Sequence, residues 1–207
     1  MLGLKFGGTS VGSPQRIKEL VKLTVDDRPK IVVLSAMSGT TNSLVEICNS
    51  LYSKNSSLAK EQIESLRAKY KQVIKELYSK PEVMLKAEQL LNNHFNYITA
   101  FTLDMFTANE EKAILAQGEL LSTAMFHYYL EEIGVASVLL QALNFMRIDN
   151  NEEPDLTYIE KNIRIELDKY PGQKLFITQG YICRNAFGEI DNLKRGGSDF
   201  TASLIGA

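Results

Sequence analysis

Four short segments of this sequence carry residue types that can bind a phosphate or a small acid. In chain order they are KFGGTSVG at 5–12, SAMSGTTN at 35–42, QGE at 117–119 and KRGGSDFTA at 194–202. Each segment also has an ordinary structural explanation. Their significance therefore depends on whether the fold brings them together.

The first segment places Lys5 on a short apolar strand that runs directly into Gly7 and Gly8. It is not the common phosphate loop, G-x-x-x-x-G-K-[ST], because no lysine follows Gly12. Successive glycine amides can form a concave set of donors for anionic oxygens, and Lys5 would add positive charge beside a phosphate. A strand-to-helix turn that needs glycine for its backbone angles explains the same residues.

The second and third segments supply hydroxyl groups and one isolated carboxylate. SAMSGTTN follows an apolar strand predicted over residues 30–35, and ligands of open α/β sheets collect at the carboxyl ends of parallel strands. Such Ser/Thr/Gly clusters are also ordinary loop chemistry. Glu119 lies among Leu, Gly and Ala, where a carboxylate usually has a partner. That partner is a substrate ammonium group or a structural ion pair, unless the side chain is simply exposed to solvent.

The fourth segment combines an arginine, a glycine pair and the start of a helix. Arg195 offers a planar fork suited to a carboxylate, and Gly196 and Gly197 permit close backbone approach. Ser198 is predicted to cap the following helix, whose N-terminus favours anions. Asp199 would be repelled by a phosphate unless lysine or magnesium offsets its charge, and it is also ordinary chemistry for a first helical turn.

The elements that must position these segments alternate between strand and helix. Strands are predicted at 2–6, 30–35, 135–141 and 174–180, the first of them buried, and helices after Ser13-Pro14, from about Thr41, over 109–133 and over 157–169. A hairpin turned at 185–188 follows. The strand at 30–35 is fully apolar at its centre, which favours a parallel strand covered on both faces. The pattern predicts an α/β fold.

Two long amphipathic helices, separated near residues 79–81, interrupt this alternation between about 57 and 107. We interpret them as an inserted helical hairpin packed beside the sheet. A purely structural pair, a lid and an oligomer contact all fit the pattern. The predicted apolar stripes consist of Ile63, Leu66, Tyr70, Val73 and Leu77, then Val83, Ala87, Leu90, Leu91, Phe95, Ile98 and Phe101.

Composition narrows the classes of partner. The 207 residues are 44% hydrophobic, and 23 basic against 25 acidic side chains give a net charge of -2. This balance argues against nucleic acid or an anionic membrane as the main partner. No apolar run approaches the roughly 20 residues that span a bilayer, and no signal peptide is recognisable. Cys48 and Cys183 match no metal-binding spacing, so a cytoplasmic protein with reduced thiols is expected, and a single disulfide between them is the alternative.

The last residues, DFTASLIGA, predict a short helix in which Leu204 and Ile205 need burial. Helices normally end with a polar turn, a glycine or a proline beyond it. We therefore expect the chain to be a fragment of a longer protein.

Taken in order and at these separations, the four segments resemble the motifs of aspartokinases, which are members of the amino-acid kinase family. The resemblance runs along all of residues 1–207, including the helical hairpin, and covers about the first two-thirds of the family's kinase domain. It implies a three-layer α/β/α fold with a mainly parallel sheet, truncated here. The family's nucleotide-binding segment and C-terminal regulatory ACT domains would be absent.

The reaction implied by the resemblance is transfer of the ATP γ-phosphoryl group to the side-chain carboxylate of L-aspartate, giving 4-phospho-L-aspartate. This is the first step toward lysine, threonine and methionine. The cofactors implied are ATP and Mg²⁺ as a substrate complex, without a structural metal, and the full-length protein is expected to be a homo-oligomer. The fragment alone is expected to be inactive. Another acyl or carbamate kinase of this fold, or a non-catalytic amino-acid-binding module, are the alternatives.

The resemblance also implies roles on the phosphate side of the site. Lys5 matches the family's phosphate-stabilising lysine, and Asp199 matches the aspartate that organises that lysine and the transfer geometry. Gly7 and Gly8, with Ser10 nearby, match the phosphate-cradling loop. The other predicted phosphate-binding residues are Gly196 and Gly197.

On the acceptor side, Ser35 and Thr41 match hydroxyls that contact bound aspartate, and Glu119 matches the acidic residue that receives its ammonium group. Arg195 matches the arginine that holds a substrate carboxylate, with Ser198 beside it. Two positions depart from the family pattern: Lys194 stands where glycine is usual, and Tyr181 stands where phenylalanine is common.

Overall fold

The computed structural model describes residues 1–103, 105–193 and 196–206. Within these residues the chain is an α/β protein that contains six strands and seven α-helices. The strands are β1 (Leu2–Phe6), β2 (Lys30–Leu34), β3 (Val138–Leu140), β4 (Leu175–Gln179), β5 (Ile182–Arg184) and β6 (Ile190–Asn192). The helices are α1 (Pro14–Thr24), α2 (Thr40–Tyr52), α3 (Ser56–Leu77), α4 (Pro81–Ala100), α5 (Ala108–Glu132), α6 (Leu156–Asp168) and α7 (Gly197–Gly206).

Four of the strands form a parallel sheet in the order β1-β2-β4-β3. The central strands β2 and β4 are buried at every residue, which confirms the prediction made for the run at 30–35. The prediction that β1 is buried is wrong, because β1 lies at the edge of the sheet and is exposed at Leu2 and half-buried at Phe6. β5 and β6 form the expected antiparallel hairpin.

Helices cover both faces of the sheet. Val32, Leu34 and Ile177 project from one face into a core shared with α1, α2 and α5. Ile31 and Phe176 project from the opposite face into a second core shared with α6 and α7. This alternation is expected of parallel strands, whose successive side chains point to opposite faces. The three-layer α/β/α architecture is thereby confirmed.

The helical hairpin formed by α3 and α4 has the predicted apolar stripe, and Tyr70 and Phe95 lie fully buried between the two helices. It packs chiefly against α1, α2 and α5. The hairpin therefore rests on the layer of helices and not directly beside the sheet, where the sequence analysis had placed it. Glu132 of α5 anchors the corner of the hairpin, since its carboxylate accepts hydrogen bonds of 2.9 Å from both Ser79 N and Ser79 Oγ.

In the described residues, capping side chains start α1, as the sequence predicts, and also α3, α5 and α6. Ser13 Oγ accepts a hydrogen bond from Arg16 N (3.3 Å), and Pro14 occupies the first position of α1. Thr107 and Glu110 form a reciprocal capping box at the start of α5.

The predicted cap of α7 is wrong. Ser198 lies inside the first turn of α7, which begins at Gly197. The carbonyl of Gly196 accepts the first helical hydrogen bonds, from Asp199 N (2.9 Å) and Phe200 N (3.1 Å). Gly196 has φ +83°, which glycine adopts without the Cβ clash that other residues suffer. The glycine therefore starts the helix, and the serine side chain is free to pack elsewhere.

Cys48 and Cys183 are both buried free thiols. Across the described ranges, no helix is both long enough and apolar enough to span a bilayer. In the same part of the chain, no three His, Cys, Asp or Glu side chains gather in a way that could hold a metal ion.

Candidate functional site

The carboxyl ends of three neighbouring strands form one edge of the parallel sheet. Phe6 of β1 lies opposite Leu34 of β2, and Leu34 lies opposite Gln179 of β4. The segments that follow these strands, at 7–12, 35–39 and 180–181, therefore leave the sheet side by side. Ligands of open α/β sheets bind at this kind of edge.

Lys5 and Asp199 meet at this edge, although they lie near opposite ends of the chain. Lys5 Nζ is 3.0 Å from Asp199 Oδ1, and the lysine side chain is 24% exposed whereas the aspartate is 72% exposed. A Cβ added to Gly7 would lie 3.5 Å from Lys5 Nζ, so the ammonium group is beside the first glycine after the strand. The pair is open to solvent and accessible to a ligand.

Residues 7–12, hereafter the glycine loop, rest directly on residues 35–39, hereafter the β2–α2 loop. Ser10 N donates to Gly7 O (2.9 Å), which closes a turn, and Ser38 N donates to Gly8 O (3.1 Å). A Cβ on Gly8 would lie 2.7 Å from Ala36 O, closer than real Cβ atoms approach a carbonyl. Glycine at position 8 is thus required for the close approach of the two loops.

Glu119 points from α5 to the β2–α2 loop and is only 4% exposed. Its Oε1 accepts a hydrogen bond from Ala36 N (3.1 Å), whereas its Oε2 is buried without a hydrogen-bond partner among the described residues. Burial raises the pKa of the Glu119 carboxyl to about 7, and the bond from Ala36 N only partly opposes this. Such an oxygen lacks the partner that a buried carboxylate normally has.

The hydroxyl residues predicted in the β2–α2 loop and in α2 occupy different environments. Ser35 is half-buried, and its carbonyl accepts a 2.7 Å hydrogen bond from Ser122 Oγ of α5. Thr41 is exposed in the first turn of α2, whereas its neighbour Thr40 is fully buried. Ser35 and Thr41 thus border the same edge, from the loop and from the helix that follows it.

The start of α7 docks on the carboxyl end of β4. Ser198 packs against Gly180, where a Cβ would lie 2.6 Å from both Ser198 Cβ and Ser198 Oγ. Tyr181 follows with φ +69°, an uncommon conformation for a residue with a side chain. Its N–H donates to Thr201 Oγ1 (3.1 Å) and its carbonyl accepts from Leu193 N (2.7 Å), which hold that conformation in place.

The structure thus brings most of the predicted residues to one edge. Lys5, the glycine loop and Asp199 lie on one side, and Glu119 lies behind the β2–α2 loop. Gly196 and Gly197 begin α7 at the same end of the sheet. Arg195 and the neighbouring Lys194 lie outside the described residues.

Sequence reasoning missed the backbone N–H of Ala36 and the hydroxyl of Ser122, which fix Glu119 and Ser35. Both contacts join α5 to the β2–α2 loop across more than 80 residues, and no local pattern signals them. It also missed the conformation of Tyr181. The only sequence signal there was its place between a glycine and an apolar strand.

Chemically, this edge offers an anion-binding side and a cation-binding side. Lys5, glycine amides and the N-terminus of α7 favour a negatively charged group such as a phosphate. Glu119 Oε2 favours a hydrogen-bond donor or a cation, which would keep the carboxylate ionised. A ligand that carries an ammonium group together with anionic groups matches both sides.

Comparisons with known proteins find similar sequences along nearly the whole chain. The profile of the amino acid kinase family matches residues 4–207. An aspartokinase of Chlamydia trachomatis is 31% identical over 98% of this chain and 44% of its own length. The lysine-sensitive aspartokinase 3 of Escherichia coli is 31% identical over 97% of this chain and 45% of its own length.

Solved structures give the same result. The crystal structure of E. coli aspartokinase III in complex with lysine and aspartate superposes with a TM-score of 0.85 at 28% identity, over 99% of this chain and 46% of that one. The same enzyme in complex with aspartate and ADP superposes with a TM-score of 0.83. The chain therefore spans about half the length of the relatives it matches.

Proposed function

Since this chain belongs to the amino acid kinase family, we propose that it is the acceptor-binding part of an aspartate kinase. The intact enzyme transfers the γ-phosphoryl group of ATP to the side-chain carboxylate of L-aspartate and forms 4-phospho-L-aspartate. Both named relatives are aspartokinases, and the structural relative was solved with aspartate bound. The chain covers only about 44% of its first relative, and we expect the intact enzyme to need further residues for turnover.

The observation that carries this proposal is the Oε2 of Glu119, which has no hydrogen-bond partner among the described residues and is buried at the edge where Lys5 and Asp199 also meet. A buried carboxylate is costly unless a partner satisfies it. The ammonium group of a free amino acid is such a partner, whereas an N-acylated amino acid offers only a neutral amide N–H without a positive charge. This favours aspartate over acceptors whose amino group is blocked.

The reaction needs positioning and charge neutralisation more than acid–base catalysis. The side-chain carboxylate of aspartate is ionised at neutral pH, so no general base has to activate it. The difficulty is to bring two anions together in line and to stabilise the charge that develops on the transferred group. Lys5 supplies a fixed positive charge there, and Asp199 holds the lysine ammonium in position at 3.0 Å.

The glycine loop is compatible with a phosphate, because Gly7 carries no side chain and lies beside the ammonium group of Lys5. When bound, ATP supplies the phosphoryl group, and the Mg²⁺ carried with it offsets negative charge. Lys5 and the start of α7 would orient the transferred group against the acceptor. We place the intact protein in the cytoplasm as a homo-oligomer, a state that light scattering would measure.

The test is calorimetric titration of the 207-residue chain with L-aspartate, L-glutamate and N-acetyl-L-aspartate. We expect L-aspartate to bind, L-glutamate to bind more weakly and N-acetyl-L-aspartate not to bind measurably. The variant Glu119→Gln should lose binding of L-aspartate, whereas Glu61→Gln on the exposed surface of α3 should retain it. Equal binding of the acetylated compound would contradict an ammonium-binding role for Glu119.

Turnover is tested by incubation with ATP, Mg²⁺ and L-aspartate, with any acyl phosphate trapped by hydroxylamine. We expect no hydroxamate from the 207-residue chain alone. Robust hydroxamate formation by this chain would show that the missing part of the catalytic domain is not required. Binding of L-aspartate without transfer, even in a longer protein that completes the domain, would favour a non-catalytic binding module.

A further inference from the structure

The helical hairpin reaches the acceptor side of the site through two consecutive residues of α3. The hydroxyl groups of Tyr70 and Thr40 lie 2.9 Å apart in a hydrogen bond, and both residues are fully buried. Next to them, Lys69 Nζ donates to the carbonyl of Ser38 (2.9 Å). The hairpin therefore contacts both the β2–α2 loop and the first residue of α2.

Tyr70 is held rigidly on the hairpin side. Its ring makes an edge-to-face contact with Phe95 of α4, with ring centroids 6.0 Å apart. Burial raises the pKa of Tyr70, and the hydrogen bond with Thr40 only partly opposes this, so the hydroxyl stays protonated at neutral pH. The hydroxyl of Tyr70 therefore keeps its proton for the hydrogen bond with Thr40.

The opposite side of the same segment is held by α5. Glu119 accepts the hydrogen bond from Ala36 N, and a Cβ added to the neighbouring Gly118 would lie 2.8 Å from Ala36 Cβ and 3.4 Å from Thr40 Cγ2. Thr40 therefore contacts α5 beside Gly118 and α3 through the hydroxyl of Tyr70, and Ala36 contacts α5 through Glu119. The start of α2 is thus in contact with both helices.

Lys69 extends the connection to the phosphate side. Ser38, whose carbonyl accepts from Lys69, donates through its own N–H to Gly8 O. Gly39 starts α2 with φ +80° and without a side-chain cap, so Ser38 and Gly39 lack the local support that a capping residue gives. The positive charge of Lys69 is unfavourable near the N-terminus of α2. The hydrogen bond from Lys69 Nζ to the carbonyl of Ser38 is therefore the favourable part of this contact.

We propose that the helical hairpin positions the β2–α2 loop for the amino-acid acceptor, and that Tyr70 and Lys69 are the positioning residues. Tyr70 acts through Thr40 and Lys69 acts through Ser38, so neither has to touch the substrate. The identity of the ligand in this proposal rests on the proposed function. The positioning itself rests only on the contacts described here.

The first experiment compares two buried tyrosines of the same hairpin. Tyr70→Phe removes the hydrogen bond to Thr40, whereas Tyr78→Phe removes a 2.7 Å hydrogen bond to the carbonyl of Met125, away from the loop. Both variants lose one buried hydroxyl contact and should lose similar stability in urea unfolding. We expect only Tyr70→Phe to weaken L-aspartate binding, by about fivefold, which is the usual net value of one hydrogen bond.

The second experiment measures the loop without any ligand, by hydrogen–deuterium exchange of amides 36–42. Exchange should be about fivefold faster in Tyr70→Phe than in the wild-type chain, a factor that again corresponds to the loss of one hydrogen bond. Exchange should be unchanged in Tyr78→Phe. Lys69→Met should accelerate exchange at 38–40, and Lys69→Arg should restore it because arginine can donate to the same carbonyl. Lys71→Met, exposed on the same helix, is the matched control.

The outcomes separate this inference from the proposed function. If the wild-type chain binds no L-aspartate, the proposed function is wrong, and the exchange experiment still decides the positioning claim. If L-aspartate binds and Tyr70→Phe matches Tyr78→Phe in both affinity and loop exchange, the hairpin is only a structural support and the inference is overturned. A difference confined to Tyr70→Phe and Lys69→Met supports it.

Discussion

Replacement of Glu119 by glutamine should make the chain more stable above neutral pH. In the folded chain, burial raises the pKa of this carboxyl to about 7 from an ordinary value of 4.5. Between these two pH values the folded chain retains a proton that the unfolded chain has lost. Stability therefore falls as pH rises through this window, and it levels off above the folded-state pKa.

The magnitude follows from the two pKa values. One pH unit corresponds to about 1.4 kcal/mol, so Glu119 lowers the free energy of unfolding by about 3 kcal/mol at pH 8. At pH 5 the loss is about 1 kcal/mol, because the unfolded carboxyl is only partly ionised there. Between pH 5 and pH 8 the wild-type chain should therefore lose about 2.5 kcal/mol that Glu119→Gln does not lose.

Urea unfolding at pH 5, 6, 7 and 8 measures this difference. The stability of Glu119→Gln minus that of the wild-type chain, taken at each pH, cancels the contributions of all other titrating groups. The expected difference grows with pH by about 2.5 kcal/mol. Glu61→Gln, which changes an exposed carboxylate on α3, should show no such growth. Parallel curves for Glu119→Gln and the wild-type chain would refute an isolated, buried carboxylate at this position.

Three further predictions concern the same edge of the sheet and the core beneath it. Calorimetry should show L-aspartate binding about tenfold more weakly at pH 6 than at pH 8, because the ammonium group needs an ionised Glu119 with a pKa near 7; a pH-independent affinity would contradict this. Lys5→Ala should abolish hydroxamate formation in any protein that completes the catalytic domain, while urea unfolding changes by less than about 1 kcal/mol because the ion pair is partly exposed. Ile177→Ala, at the fully buried centre of β4, should cost about 2–5 kcal/mol in urea unfolding, and a smaller loss would indicate a loosely packed sheet.

The strands and helices were largely predictable because their patterns are local. The run at 30–35 is fully apolar at its centre, residues 31–34, as a doubly covered parallel strand requires, and β2 is buried at every residue. The long stripes around Tyr70 and Phe95 predicted α3 and α4 for the same reason. By contrast, the short run at 2–6 does not reveal whether its strand is central or at an edge, because that depends on which strand pairs beside it.

Residues that meet at the carboxyl edge of the sheet could be singled out from the sequence, but their contacts could not. Lys5 and Asp199 were singled out from residue types and from a family resemblance, yet their separation of 3.0 Å depends on the whole sheet and on α7. Ser198 was predicted to cap α7 because serine is a favoured capping residue, but Gly196 takes that place through its left-handed conformation. From the sequence, Tyr70 could be recognised only as a core residue, because Thr40, the hydrogen-bond partner of its hydroxyl, lies 30 residues away in the chain.

The pairing of Lys5 with Asp199 also has a consequence for the order in which the parts of the molecule fold. The two residues are separated by nearly the entire chain, so their contact closes a very long loop and cannot precede the docking of α7 on β1. The helical hairpin, in contrast, is formed from residues close in sequence and can fold early. During synthesis, the phosphate side of the edge should therefore assemble last, after the helical hairpin has packed against the acceptor side.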